Sequence, residues 1–166
     1  MNHYSVIVAG GSHARFFTLE DANFPELESG PRLVELSDLI NPEHKVHERT
    51  LWSSSKAGGN RAPGGGAAHG YDDHRVQHEN EIDRRFARDI AEEATRLVKS
   101  NNTQNVILVA QKRMLGLLRN ELDPLLKAGI NIQEFAKDLG KLPAQDLHAH
   151  LSRQNLLPPC RRHTSG

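Results

Sequence analysis

This chain of 166 residues has one cysteine, Cys160. A disulfide framework is therefore excluded, and a reducing compartment fits. Net charge is lacking as well, because 21 Lys and Arg offset 21 Asp and Glu. That removes the bulk basic charge of a nucleic-acid-coating protein and confines any RNA contact to a local patch. No apolar run approaches the roughly 18 residues a membrane helix needs. The opening MNHYSVIVAGG has no basic region and only about five consecutive apolar residues, which makes a poor secretion signal. The expectation is a cytoplasmic protein with no membrane partner. Its length suits one domain, burying roughly 68–70% of its unfolded surface, so a core can form without staples.

Glycine is concentrated in one place. The stretch SSSKAGGNRAPGGGAAHGYDDHRVQHE, Ser53 to Glu79, holds six of the 13 glycines and ends in His and Asp. So long a patternless stretch inside a compact domain is functional or disordered. We expect a flexible Gly-rich loop over 53–74, within a folded domain of residues 1–153. The chain loses its pattern again at Gln154, so 154–166 reads as a flexible tail.

The rest is punctuated by clear periodicities. Val6–Ala9, closed by Gly10-Gly11, reads as a buried strand and a hairpin turn into Ala14–Glu20; Arg32–Ile40 reads as a third strand. Ile82, Phe86, Ile90, Ala94, Leu97 and Val98 recur at helical spacing, with Glu81–Arg85 and Glu92–Arg96 as (i, i+4) pairs and Asp72 or Asp73 as N-cap. NVILVA (105–110) is apolar throughout, as a strand covered on both faces must be. Arg113–Leu122 reads as a helix stopped at Asp123-Pro124, Ile130–Phe135 as a strand, and Pro143 as the start of a last helix with Leu147 and Leu151 inward. These elements predict a single α/β domain, a mixed central sheet with flanking helices.

Several clusters carry chemistry. His74 and His78, four apart, have the spacing for Zn²⁺ or Ni²⁺ on a helix face, with Asp72, Asp73 and Glu79 close by. The bland reading of these groups is a solvated helix start. Arg84, Arg85 and Arg88 offer phosphate-binding forks, yet Glu81, Asp83, Asp89 and Glu92 are interleaved, as on a solvated face. Lys112 and Arg113 follow the central strand, where open α/β sheets hold ligands. Gly10-Gly11-Ser12 lacks the spacing and the Lys of a phosphate loop. Cys160, in the tail, lacks the rigid frame a nucleophile needs.

Five segments in register, VIVAGGSHARFF, LVELSDLINPEHKVHER, HENEIDRRFARDIAEEATRLV, VILVAQKRMLGLLRNEL and KDLGKLPAQDLHAHL, resemble the bacterial family labelled "protein required for attachment to host cells". That family is similar to the middle domain of archaeal and eukaryotic class-one peptide-release factors, which implies an RNase H-like α/β fold. In release factors a Gly-Gly-Gln loop precedes a helix beginning with an Arg-Phe element. Here Gly58-Gly59-Asn60 stands in the loop and Arg85-Phe86-Ala87-Arg88 on the helix, although Asn is one methylene shorter than Gln and lies 25 residues before Arg85. The resemblance implies the ribosome or peptidyl-tRNA as partner, with Arg61, Arg85, Arg88, Lys112 and Arg113 facing RNA. It implies ester hydrolysis helped by Asn60 and the Gly58 and Gly59 backbone, with no cofactor. Two alternatives stand beside it: a non-catalytic interaction or regulatory protein with a protein partner, and a metal-dependent hydrolase built on His74 and His78.

Overall fold

The computed structural model describes residues 3–43 and 68–161, the side chains of 68–76 apart. Among them the chain forms β1 (Tyr4–Ala9), β2 (His13–Glu20), β3 (Arg32–Ile40), α1 (Ala68–Ser100), β4 (Asn105–Ala110), α2 (Lys112–Leu122), β5 (Asn131–Ala136) and α3 (Ala144–Arg153). The sheet order is β3-β2-β1-β4-β5. β1 pairs antiparallel with β2 and β2 with β3, whereas β1–β4 and β4–β5 are parallel. The hairpin turn closes where expected, with Gly10 N–H donating to His13 O at 2.9 Å.

The all-apolar strands β1 and β4 lie at the centre, where both faces are covered. Their alternation divides the interior into two cores. Ile7, Phe16, Val106 and Leu108 pack with Phe86, Ile90 and Ala94 of α1 and Leu115 and Leu118 of α2. On the opposite face Val6, Val8, Phe17, Ile107 and Val109 pack with Leu147 and Leu151 of α3 and with Leu157 beyond it. The result is a three-layer single domain of mixed sheet and flanking helices.

β3 needs an irregularity to serve both cores. Phe16 pairs with Ser37 but Phe17 pairs with Glu35, so Leu36 is an extra residue opposite that step. A one-residue slip exchanges the faces of everything beyond it. Leu33 therefore joins the α3 core while Leu39 packs against the α1 core.

α1 is longer than its periodicity implied. It runs for 33 residues from Ala68, so residues 68–74 are helical rather than part of the expected loop, and Asp72 and Asp73 lie inside the helix rather than capping it. Arg96 pairs with Glu93 at 2.5 Å, not with Glu92; Glu93 is the half-buried carboxylate, also bonded by Ser37 of β3. The helix ends at Ser100 and is closed off by Asn102, whose φ of 49° stands in the left-handed region usually given to glycine, with Thr103 N–H reaching back to Val98 O at 3.0 Å. Thr103 then shares a buried 2.6 Å hydrogen bond with Ser5 of β1.

The chain after Gln154 also departs from the expected tail. Leu157 is buried, His148 Nε2 meets Pro158 O at 2.7 Å, and Arg161 pairs with Gly30 through both backbone groups. Packing thus extends through Arg161, because Leu156 and Leu157 close the α3 core. Gly30 can take no side chain there: a Cβ would stand 2.7 Å from that of Ala22.

Candidate functional site

Gly58, Gly59, Asn60 and Arg61 lie outside the described residues, but the points where their segment leaves and rejoins the fold are visible. Asn41, buried at the end of β3, donates from Nδ2 to Gly11 O at 3.1 Å and accepts from Glu43 N–H at 3.2 Å. Glu43 in turn receives Arg85 of α1 at 2.6 Å, while the other arm of Arg85 holds Glu81 at 2.9 Å. The hydrogen bond to Glu81, then that to Glu43, keeps the Arg85 guanidinium charged beyond its ordinary range, and Arg85 in turn lowers Glu81. Arg85 is thus a tie between the residue that precedes segment 44–67 and the helix that follows it. Phe86, its neighbour in the Arg-Phe element, points the other way and is 2% exposed in the α1 core.

The other expected RNA-facing cations divide into two kinds. Arg88 approaches Glu121 of α2 at 3.7 Å, and Arg113 of α2 reaches back to Asp83 at 3.0 Å and to the Asn80 side-chain oxygen on α1. These contacts latch α1 to α2 and offset the charge of both arginines. Arg84 and Lys112 are exposed and carry no ion pair among the described residues. The sequence hid this division because the carboxylates come from other elements.

His74 and His78 lie four positions apart within α1, and His78 is exposed. Among the described residues no group of three or more His, Cys, Asp or Glu could hold a metal ion. Cys160 is free and exposed. No helix among the described residues is long and apolar enough to cross a membrane.

Two features went unread in the sequence. Arg15 on β2 gathers β2, β3 and the chain before α3. Its Nε meets Glu35 at 2.7 Å, its Nη1 donates to Leu142 O at 2.5 Å and Gly140 O at 3.3 Å, and its guanidinium lies 4.8 Å from the Phe17 ring centroid. The second is a groove of about 320 Å³ between the end of β3 and α1, lined by Leu39, Ile40, Phe86, Asp89, Glu92, Glu93 and Arg96. Glu93, on its wall, is held below the ordinary carboxylate value of 4.5, chiefly by the hydrogen bond from Arg96, against a smaller opposing effect of burial. A carboxylate lowered in the folded state contributes stability that is full above its unfolded value and is lost as pH falls through the folded value. Glu93→Gln should therefore flatten the loss of stability on acidification below about pH 4.5, read by denaturant midpoints at a series of pH values. An unchanged acid slope would remove Glu93 from the acid response.

These features define the class: a mixed α/β protein in which the residue leading into segment 44–67 is tied to the long helix that follows it. The chain belongs to the family described as "Protein required for attachment to host cells", whose model matches residues 5–151. No curated protein matches it. Among solved structures, an archaeal translation termination factor, aRF1, is similar at 16% identity and a TM-score of 0.42 over 87% of this chain. A chain titled only "Archaeal protein" is similar at 14% identity and a TM-score of 0.41 over 94% of this chain. The match spans 33% and 35% of those two chains, about a third of each.

Proposed function

We propose that this protein is a loop-bearing module that acts on peptidyl-tRNA at the ribosome, with the glycine-rich segment as its working part. The observation that carries the reading is the anchoring of the residue that leads into that segment. Asn41 orders the chain up to Glu43, and Arg85 ties Glu43 to a 33-residue helix. A catalytic group on a loop is useful only where its approach is set by rigid elements. The tripeptide Gly58-Gly59-Asn60 lies in that segment, and its likeness to the release-factor loop supplies the substrate class. In this reading the Asn60 amide and the glycine backbone orient a water against the peptidyl-tRNA ester, and the ribosome supplies the remaining groups. Among the described candidates Lys112 and Arg84 are left for RNA, with Arg61 in the glycine-rich segment, because Arg85, Arg88 and Arg113 face carboxylates.

The test separates affinity from chemistry. The protein should co-sediment with ribosomes at low salt, and Asn60→Ala should leave that association nearly intact while lowering release of peptide from peptidyl-tRNA. A wild type that neither sediments nor releases peptide would sink this reading. A non-catalytic interaction protein is the second reading. It is favoured by the same ion pairing, which leaves the α1–α2 surface with little free positive charge for RNA.

A further inference from the structure

We propose that the groove between β3 and α1 binds an extended, basic peptide segment that adds along the outer edge of β3. This site goes beyond the ribosomal reading and does not depend on it. β3 is the terminal strand of the sheet, and among the described residues nothing pairs with its outer side. An uncovered edge is a template for one more strand, whose backbone supplies affinity and whose alternate side chains supply specificity. The apolar part of such a site is already built. Leu39 and Phe86 form its floor, and Ile40, 67% exposed, stands at the lip.

Charge complementarity selects the occupant. Along the groove α1 presents Asp89, Glu92 and Glu93, residues three and four apart and hence on one helical face. Arg96, the one cation in the lining among the described residues, is spent on Glu93, to which it gives bonds from both Nε and Nη2. Asp89 and Glu92 have no ion-pair partner among the described residues. A helix gains nothing from like charges at such spacing, so a cation brought by a partner relieves them. Side chains on one face of a strand repeat about every 6.6–6.8 Å. One such side chain, apolar, covers Leu39 beside the Ile40 lip; the next, a Lys or Arg, reaches Asp89 and Glu92.

The probe is a fluorescently labelled peptide repeating Val-Ser-Lys-Ser, which sets Val and Lys in turn along one strand face, compared with one repeating Val-Ser-Glu-Ser, by anisotropy against the full chain. The Lys peptide should bind, the Glu peptide should not, and added salt should weaken the binding. Asp89→Lys with Glu92→Lys should lower affinity by about tenfold or more, as expected for two lost charge contacts made into repulsions. Ile40→Ser should weaken binding through the apolar half alone. Both variants lie on exposed positions, and unchanged thermal unfolding will show that the fold is kept. Three results would overturn the proposal: no binding of the Lys peptide to the wild type, equal binding to the charge-reversed variant, or concentration-dependent self-association abolished by Ile40→Ser. The last would assign the edge to a second copy of the chain.

Discussion

Phe86→Ala should lower the free energy of unfolding by about 3–5 kcal/mol, the range for deleting a buried aromatic ring. For a chain of this size each kcal/mol shifts the melting temperature by roughly 2–4 °C, so the loss is large on any scale. Phe86 is 2% exposed and packs with Ile7, Phe16 and Ile90 between α1 and the sheet. Its ring holds α1 against the strands, and the surrounding β1 and β4 backbones are fixed by pairing on both sides, so the site cannot collapse to fill the void. Phe86→Leu, which keeps most of the volume, should cost distinctly less. Chemical denaturation of both variants measures this. A Phe86→Ala protein as stable as the wild type would mean that α1 does not sit on the sheet as described. The result also bears on function: a variant of the Arg-Phe element that loses activity must first be shown to be folded.

The second large effect belongs to Arg15. Arg15→Ala removes the pair with Glu35, the hydrogen bonds to the carbonyls of Gly140 and Leu142, and the face of the Phe17 ring. Hydrogen bonds from a charged group contribute about 1.5–3 kcal/mol at most each, and a cation over a ring about 0.5–1 kcal/mol near the surface. These terms are not additive, and the Arg15 side chain keeps 15% exposure. A net loss of about 2–4 kcal/mol is expected. Arg15→Lys should recover little of it, since an ammonium cannot present two nitrogens to Glu35 and a third bond to Leu142 at once. Denaturant unfolding of the two variants tests this, and full recovery by Lys would reduce Arg15 to a simple surface charge. The change should also loosen the chain before α3, visible as faster amide exchange around Gly140–Leu142.

The periodicities carried the core. The uniform apolar run of β4 placed it at the sheet centre, and the stripe Ile82, Phe86, Ile90, Ala94 placed α1 against it, because burial of those side chains decides the geometry whatever the neighbours are. The turn at Gly10, the last helix after Pro143 and the inward Leu147 and Leu151 were legible for the same local reason. Element ends were less so. α1 begins at Ala68, before its apolar stripe, in residues whose composition reads as loop.

Partners across elements were not legible at all. Arg85, Arg88 and Arg113 look alike in a string of mixed charge, yet one ties down Glu43 and the other two join α1 to α2. Arg15 reads as a polar strand residue, yet it meets backbone carbonyls more than a hundred residues away. The segment after α3 lacks periodicity, yet Leu157 finds the core left open beside Leu151. By itself the sequence determined the strands and helices, their buried faces and the family, since these rest on local pattern and on motifs in order. The tertiary structure alone decided which charges pair among the described residues, where β3 changes face, and that a groove lined by Leu39, Asp89 and Glu92 lies beside the terminal strand β3. Those outcomes depend on distances between residues far apart in the chain, which no local pattern encodes.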